Sequence, residues 1–249
     1  MISRFSLPKI IGHRGVKNLA PENSIESISK AFELGLECVE IDVKISKDNI
    51  PLLIHDDTLD RTTSGSGLVS NFTFDEISHL DAGFFFYKSK STVRVPSLNK
   101  VLEEINNKNK SINIELKPNK GLEKINVDKI VDEINNFSLE NIFFSSFDLE
   151  SCIHLKEKLP NALCGFLNHD FSKITLKDTI DICKKYDFFS CGIDLDSFSD
   201  AVVNELTNRD ILVTVYSGKN IPINEAQNLW KKKVMSVFVD DPTNYLEYF

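Results

Sequence analysis

The residues best suited to chemistry gather in three short stretches: Ile11-Gly-His-Arg-Gly15, Val39-Glu-Ile-Asp-Val43 and Leu53-Ile-His-Asp56. His13 and His55 each end an apolar run. An imidazole titrates at about 6.5, so near neutral pH one ring can hold a proton while another does not, and the pair reads as an acid and a base. Arg14 offers a planar fork to a phosphate, and Gly12 and Gly15 keep its turn free of side chains. Glu40 and Asp42 stand two apart, which on a strand puts both on one face. Two enclosed carboxylates repel unless a cation sits between them, and hard oxygen donors of this kind suit Mg²⁺, Ca²⁺ or Mn²⁺. Ile114-Glu-Leu-Lys117 repeats the spacing, with Glu115 as a third ligand and Lys117 placed to meet a phosphate oxygen. A lone strand glutamate is ordinarily a surface ion pair, and a lone histidine a satisfied core group. Their recurrence at strand ends points instead to metal-assisted phosphoester chemistry.

The elements that must position these groups alternate along the chain. Strand-like runs lie at 9–12, 38–43, 51–55, 112–116, 141–145, 163–167, 190–195, 211–216 and 236–239, and helix-like segments at 24–34, 97–107, 123–136, 148–158, 173–185, 198–208, 223–232 and 242–248. Runs such as Ile142-Phe-Phe144 have no polar face, as expected of a parallel sheet covered on both sides. Repeated βα units over 249 residues fit an α/β fold, a (β/α)8 barrel. Nine strand candidates are one too many, and the 44–50 link is too short for a crossover helix. Either one run lies outside the barrel or that link is an irregular return. Asn23 and Glu26 form a capping box for the first helix, and Gly35 closes it. Residues 57–94 break the rhythm and carry Phe84-Phe-Phe-Tyr87, either as a lid or substrate wall above the barrel mouth or as a packed excursion.

Composition sets wider bounds. A hydrophobic content of 41% and a charged content of 27% are those of a soluble globular protein. The net charge of −8 argues against nucleic acid and against a general affinity for anionic membranes, but not against an anionic small substrate, because a bound metal reverses the local sign. The five cysteines are scattered and form no C-x-x-C pair, which favours buried thiols in a reducing compartment. The first eight residues are too short and polar for a signal-peptide core, and no run of about 18 apolar residues is present to insert stably in a membrane. A cytoplasmic location is expected. No linker or low-complexity tract divides the chain, so 1–249 reads as one domain. Homo-oligomerisation is left open.

The set His13-Arg-Gly15, Pro21-Glu-Asn-Ser24, Glu40-Ile-Asp42, His55-Asp56, Arg61-Thr-Thr63 with Gly65 and Gly67, Glu115-Leu-Lys117, Ser146-Phe147 and Asp240 resembles the glycerophosphodiester phosphodiesterases, in particular the small bacterial cytosolic kind. The resemblance implies a TIM barrel of the PLC-like phosphodiesterase type, with a small insertion after the third strand. It implies hydrolysis of a small-molecule glycerophosphodiester to sn-glycerol-3-phosphate and an alcohol, with a divalent metal (Mg²⁺ or Ca²⁺) on Glu40, Asp42 and Glu115. It also implies an acid–base pair of His13 and His55, and phosphate contacts from Arg14 and Lys117. The chain departs at Tyr216-Ser-Gly-Lys219, where the family usually carries a Trp-Thr-Val-Asn-like run. Tyr216 keeps an aromatic wall against the substrate, but the Asn is lost, which bears on preference among diesters. A barrel phosphodiesterase acting on a lysophospholipid, with the 84–87 cluster as its greasy lid, and a non-catalytic ligand-binding barrel are the alternatives.

Overall fold

A computed structural model describes residues 7–106 and 108–248. The last residue of the expected 97–107 helix and residues 1–6 of the signal-peptide argument lie outside the described residues.

Among the described residues nine strands form one sheet. In chain order the elements are β1 (Ile10–Gly12), α1 (Ile25–Glu33), β2 (Cys38–Ile45), β3 (Pro51–Leu53), α2 (Phe74–Ser78), α3 (Phe84–Tyr87), α4 (Leu98–Asn106), β4 (Ser111–Leu116), α5 (Glu123–Ile134), β5 (Ile142–Ser146), α6 (Leu149–Lys158), β6 (Cys164–Asn168), α7 (Leu176–Lys185), β7 (Ser190–Asp194), α8 (Asp200–Thr207), β8 (Leu212–Tyr216), α9 (Ile223–Lys231) and β9 (Ser236–Val239). Eight strands run parallel in the order β1-β9-β8-β7-β6-β5-β4-β2, and β1 pairs with β2 to close a TIM barrel. The segment expected as a helix at 242–248 is a short 3₁₀ helix, Thr243–Tyr248.

β3 is the surplus strand. It pairs antiparallel with the upper half of β2, with Val43 opposite Leu53 and Ile45 opposite Pro51. The tight turn, with Asn49 at φ 60°, lets the chain double back without a crossover helix. This corrects the placement of His55, which does not end a barrel strand. It follows a hairpin arm that descends to the mouth from above, where Ile54 N–H donates to the Asp42 carbonyl.

Residues of β2 alternate between two environments. Val39, Ile41 and Val43 face the helices in the main core with Ile28, Leu98 and Val101. On the other face Cys38 joins Ile11, Phe143 and Phe238 in an apolar plug. The five cysteines are buried free thiols. The 57–94 segment packs on a third cluster of its own, in which Leu59, Val69 and Ile77 meet Leu52, Ile54 and Val95. No helix among the described residues is long and apolar enough to cross a membrane.

Candidate active site

The plug is the floor of the site. Two residues beyond each floor residue, on the same face of each strand, stands a polar group: His13 above Ile11, Glu40 above Cys38, Ser145 above Phe143 and Asp240 above Phe238. The parallel register sets Asp42 beside Glu115, and Glu115 beside Ser145. A cavity of about 330 Å³ opens over this layer, lined by His13, Arg14, Glu40, His55, Glu115, Lys117, Phe147, Asp194 and Tyr216 among others. Seven of the eight residues singled out from sequence therefore meet on one cavity. The eighth, Asp42, is buried behind it, with its carboxylate among the other two.

The turn after β1 depends on its glycines. A Cβ on Gly12 would lie 2.3 Å from the Gly15 carbonyl oxygen, and Gly15 has φ +81°. Arg14 itself is left-handed at φ 53°, which aims its N–H at the Glu40 carboxylate (2.9 Å). Ser27 braces the turn by donating to the Arg14 carbonyl and accepting from Val16 N–H. The cap of α1 is Ser24, not Asn23: the Ser24 hydroxyl accepts from Ser27 N–H. Asn23 has another task. Held at φ 55°, it donates to Asp42 through its amide (2.8 Å) and accepts from Asp42 N–H (3.0 Å).

Glu40, Asp42 and Glu115 bring one carboxylate oxygen each within 4.8 Å of one another. Two cations already stand among them: Arg14 Nε lies 3.1 Å from Asp42, and Lys117 Nζ lies 2.9 Å from Glu115. Burial drives the Glu40 pKa well above the carboxylate range, and the neighbouring Asp42 and Glu115 add to it. Burial also lifts Glu115 to about 7, against the pull of Lys117. Burial would raise Asp42 too, but Arg14, Lys117 and His55 outweigh it and hold it at about 2. Three ionised acids against two cations would leave a deficit of positive charge, and the raised pKa values of Glu40 and Glu115 express it. Glu40 Oε1 is buried without a hydrogen-bond partner. An orphaned oxygen in a cluster of hard donors fits a divalent cation.

Each histidine is tied to a carboxylate. His13 Nδ1 lies 2.7 Å from Asp240 Oδ1, and Lys17 approaches the same oxygen at 3.2 Å. His55 Nδ1 lies 2.6 Å from Asp56 Oδ1, and Arg61 donates to both Asp56 oxygens. Burial disfavours charge on both carboxylates. For Asp240 this is outweighed by His13 and Lys17, and for Asp56 by its hydrogen bond to Arg61, so both pKa values fall below the usual range. An ionised carboxylate only accepts, so the proton sits on each Nδ1 and Nε2 is left to the cavity. Burial lowers both histidine pKa values, aided by Arg14 and opposed by the carboxylate partners.

The residues Lys17, Glu22, Asp56, Arg61 and Asp240 were given no role from sequence. Glu22, Asp56, Arg61 and Asp240 fall in motifs of the resemblance; Lys17 carries no signal at all. Arg61 bridges Glu22 and Asp56, and Glu22 in turn accepts from Arg14. None of Phe84-Phe-Phe-Tyr87 lines the cavity; the 57–94 segment reaches the site through Arg61, which donates to Asp56. Phe147 and Tyr216 form the opposite wall, edge to face at 5.5 Å, and Lys117 Nζ lies 5.4 Å from the Phe147 ring centre.

The model of the glycerophosphoryl diester phosphodiesterase family matches residues 13–244. The chain belongs to this family. A glycerophosphodiester phosphodiesterase of Caldanaerobacter subterraneus subsp. tengcongensis is 38% identical over 159 residues, 64% of this chain and 65% of that relative. The chain thus spans just under two thirds of that protein. One from Bacillus altitudinis is 34% identical over 66% of this chain and 68% of its own. Among solved structures, an Oleispira antarctica phosphodiesterase in complex with the product sn-glycerol-3-phosphate superposes with a TM-score of 0.90 at 28% identity, over 97% of this chain and 96% of that one. The Oleispira protein therefore shares the barrel with this chain across nearly its full length.

Proposed function

We propose that the chain, read as one domain over 1–249, is a glycerophosphodiester phosphodiesterase that releases sn-glycerol-3-phosphate and an alcohol. The observation that carries this reading is the meeting of an orphaned carboxylate cluster with two histidine–aspartate pairs in one cavity of a chain from this family. The related Oleispira enzyme was captured with that product.

Glu40, Asp42 and Glu115 would hold a divalent metal, Mg²⁺ or Ca²⁺, which when bound draws charge off phosphoryl oxygens and acidifies a nearby water or hydroxyl. Arg14 and Lys117 face the cavity with further positive charge for the phosphate. One histidine, neutral with Nε2 free, accepts the nucleophile's proton there, and the other, entering as the imidazolium, delivers its Nε2 proton to the departing alcohol oxygen. Asp240 and Asp56 fix the tautomers and stabilise whichever ring becomes charged. Phe147 and Tyr216 give the organic part of the diester an apolar wall. Five reduced, buried thiols support a cytoplasmic setting.

The test is release of glycerol-3-phosphate from glycerophosphocholine and glycerophosphoethanolamine by purified protein, with Mg²⁺ or Ca²⁺ and again with EDTA. Release that EDTA abolishes is expected. No release from either diester with any metal would overturn the reading.

A further inference from the structure

Four consecutive aromatic residues, Phe84 to Tyr87, make the single turn of α3, and each is 37–51% exposed. A run of four points in every direction around a helix, so no single core can absorb it. Among the described residues the rings pair with each other, Phe84 with Phe85 and Phe86 with Tyr87, edge to face at 5.2 and 5.1 Å.

The turn is held out rigidly. At its neck the Asp81 carboxylate accepts from Gly83 N–H (2.9 Å), Ser91 N–H (2.6 Å) and the Ser91 hydroxyl. Ala82 N–H donates to the Val93 carbonyl and Ser64 N–H to the Asp81 carbonyl. Lys88, left-handed at φ 55°, ends the helix, and Lys90 follows. Both are exposed, and neither has an ion-pair partner among the described residues. No Asp or Glu occurs from 82 to 94. Against a chain of net charge −8 this tip is locally positive, and at physiological ionic strength charges beyond about 8–10 Å are largely screened from it. Aromatic rings that bury at a headgroup boundary, next to lysines that reach anionic headgroups, are the chemistry of an interfacial anchor.

We infer that the 84–90 finger docks the protein peripherally on an anionic lipid surface. The neck residue Ala82 shares a small cleft with Glu22, Thr62 and His55, so docking sets the barrel mouth beside that surface. The net charge argues against general affinity for such membranes; the proposal is a local exception made by one loop.

Co-sedimentation of the full-length chain with vesicles of phosphatidylglycerol and phosphatidylcholine, against vesicles of phosphatidylcholine alone, tests it. The measurement needs no substrate, so it stands or falls apart from the proposed hydrolysis. Binding to the anionic vesicles is expected, weakening at high salt. The double substitution Lys88→Ser, Lys90→Ser should cut partitioning about fivefold per lysine, and Phe85→Ser with Phe86→Ser should abolish it. Both variants should keep the wild-type circular-dichroism spectrum and Tm, which reports that they fold. No sedimentation of the wild type, or binding indifferent to both variants, overturns the proposal. A concentration-dependent dimer that Phe85→Ser, Phe86→Ser breaks, with no vesicle binding, would overturn it in favour of a second copy.

Discussion

The two histidines reach the same cavity by different means. His13 extends a barrel stave, and its carboxylate partner, Asp240, extends the neighbouring stave 227 residues away. The ladder that pairs Gly12 with Val239 aligns them before any side chain is considered. His55 hangs from the β3 hairpin, and its partner is the next residue, Asp56, steadied by Arg61 from the 57–94 segment and by Glu22 beyond it. The His13 side chain is 15% exposed and that of His55 is 31%. One arm is held by backbone register, the other by a half-exposed ionic network. Salt and substitution should disturb the second arm more than the first, since exposed ion pairs are weak and screened.

If both arms transfer protons, His13→Ala and His55→Ala should each lower turnover by about 10²–10⁴. Losses below tenfold in steady-state assays of either would break the symmetry of roles. Next in size are the partners. Asp240→Asn and Asp56→Asn should each cost roughly 10–100-fold. Because both carboxylates raise the pKa of their ring, removing that charge lowers it further, and the limb of the pH–rate profile set by that histidine should move to lower pH. A limb that moves up, or not at all, would mean the carboxylate does not govern the ring.

The carboxylate cluster of Glu40, Asp42 and Glu115 gives the third prediction. Glu40→Ala should weaken divalent-metal binding measured by calorimetry; unchanged affinity would remove Glu40 from the ligand set. With the folded Glu115 pKa raised to about 7 from 4.5, the metal-free fold binds more protons than the unfolded chain between those values. Its contribution to stability is present below about 4.5 and lost as pH rises through about 7. In EDTA at pH 8, Glu115→Gln should therefore raise Tm, at about 2–4 °C per kcal/mol for a chain of this size. A fall in Tm would mean that the charged Glu115 is compensated without a metal.

The smallest effect sharpens the comparison most. Arg61→Ala should slow turnover by less than about tenfold at low salt, as expected of a half-exposed ion-pair network. It should leave a salt dependence weaker than that of the wild type. Arg61→Lys should not restore it, because one ammonium cannot fork to both Glu22 and Asp56. An equal sensitivity to salt in wild type and Arg61→Ala would show that the network does not hold the His55 arm.

Much of this was readable in the chain. The two-residue spacing of Glu40 and Asp42 fixes a shared face, because side chains alternate along any strand. Glycines flanking His13 and Arg14 announced a tight turn, and alternating βα units implied the barrel. Asn23 was misread because a capping box and a carboxylate clamp use the same residue types; only the φ of 55° and the approach of Asp42 choose between them. Leu52-Leu-Ile-His55 looks like a stave because local pattern does not encode whether the next strand lies parallel or doubles back. The linkage of Arg61 to Glu22 crosses 39 residues and depends on where the insertion folds.

The sequence by itself thus determined the chemistry available: two imidazoles, three acids on strand faces, two cations and the elements to carry them. Residue type and period are local properties, set by covalent structure and side-chain alternation. Tertiary structure alone decided which carboxylate serves which histidine, which oxygen is left without a partner and which aromatic run faces water. Those depend on register and burial, on distances between groups far apart in the chain and on the solvent they lose, and neither exists until the barrel has closed.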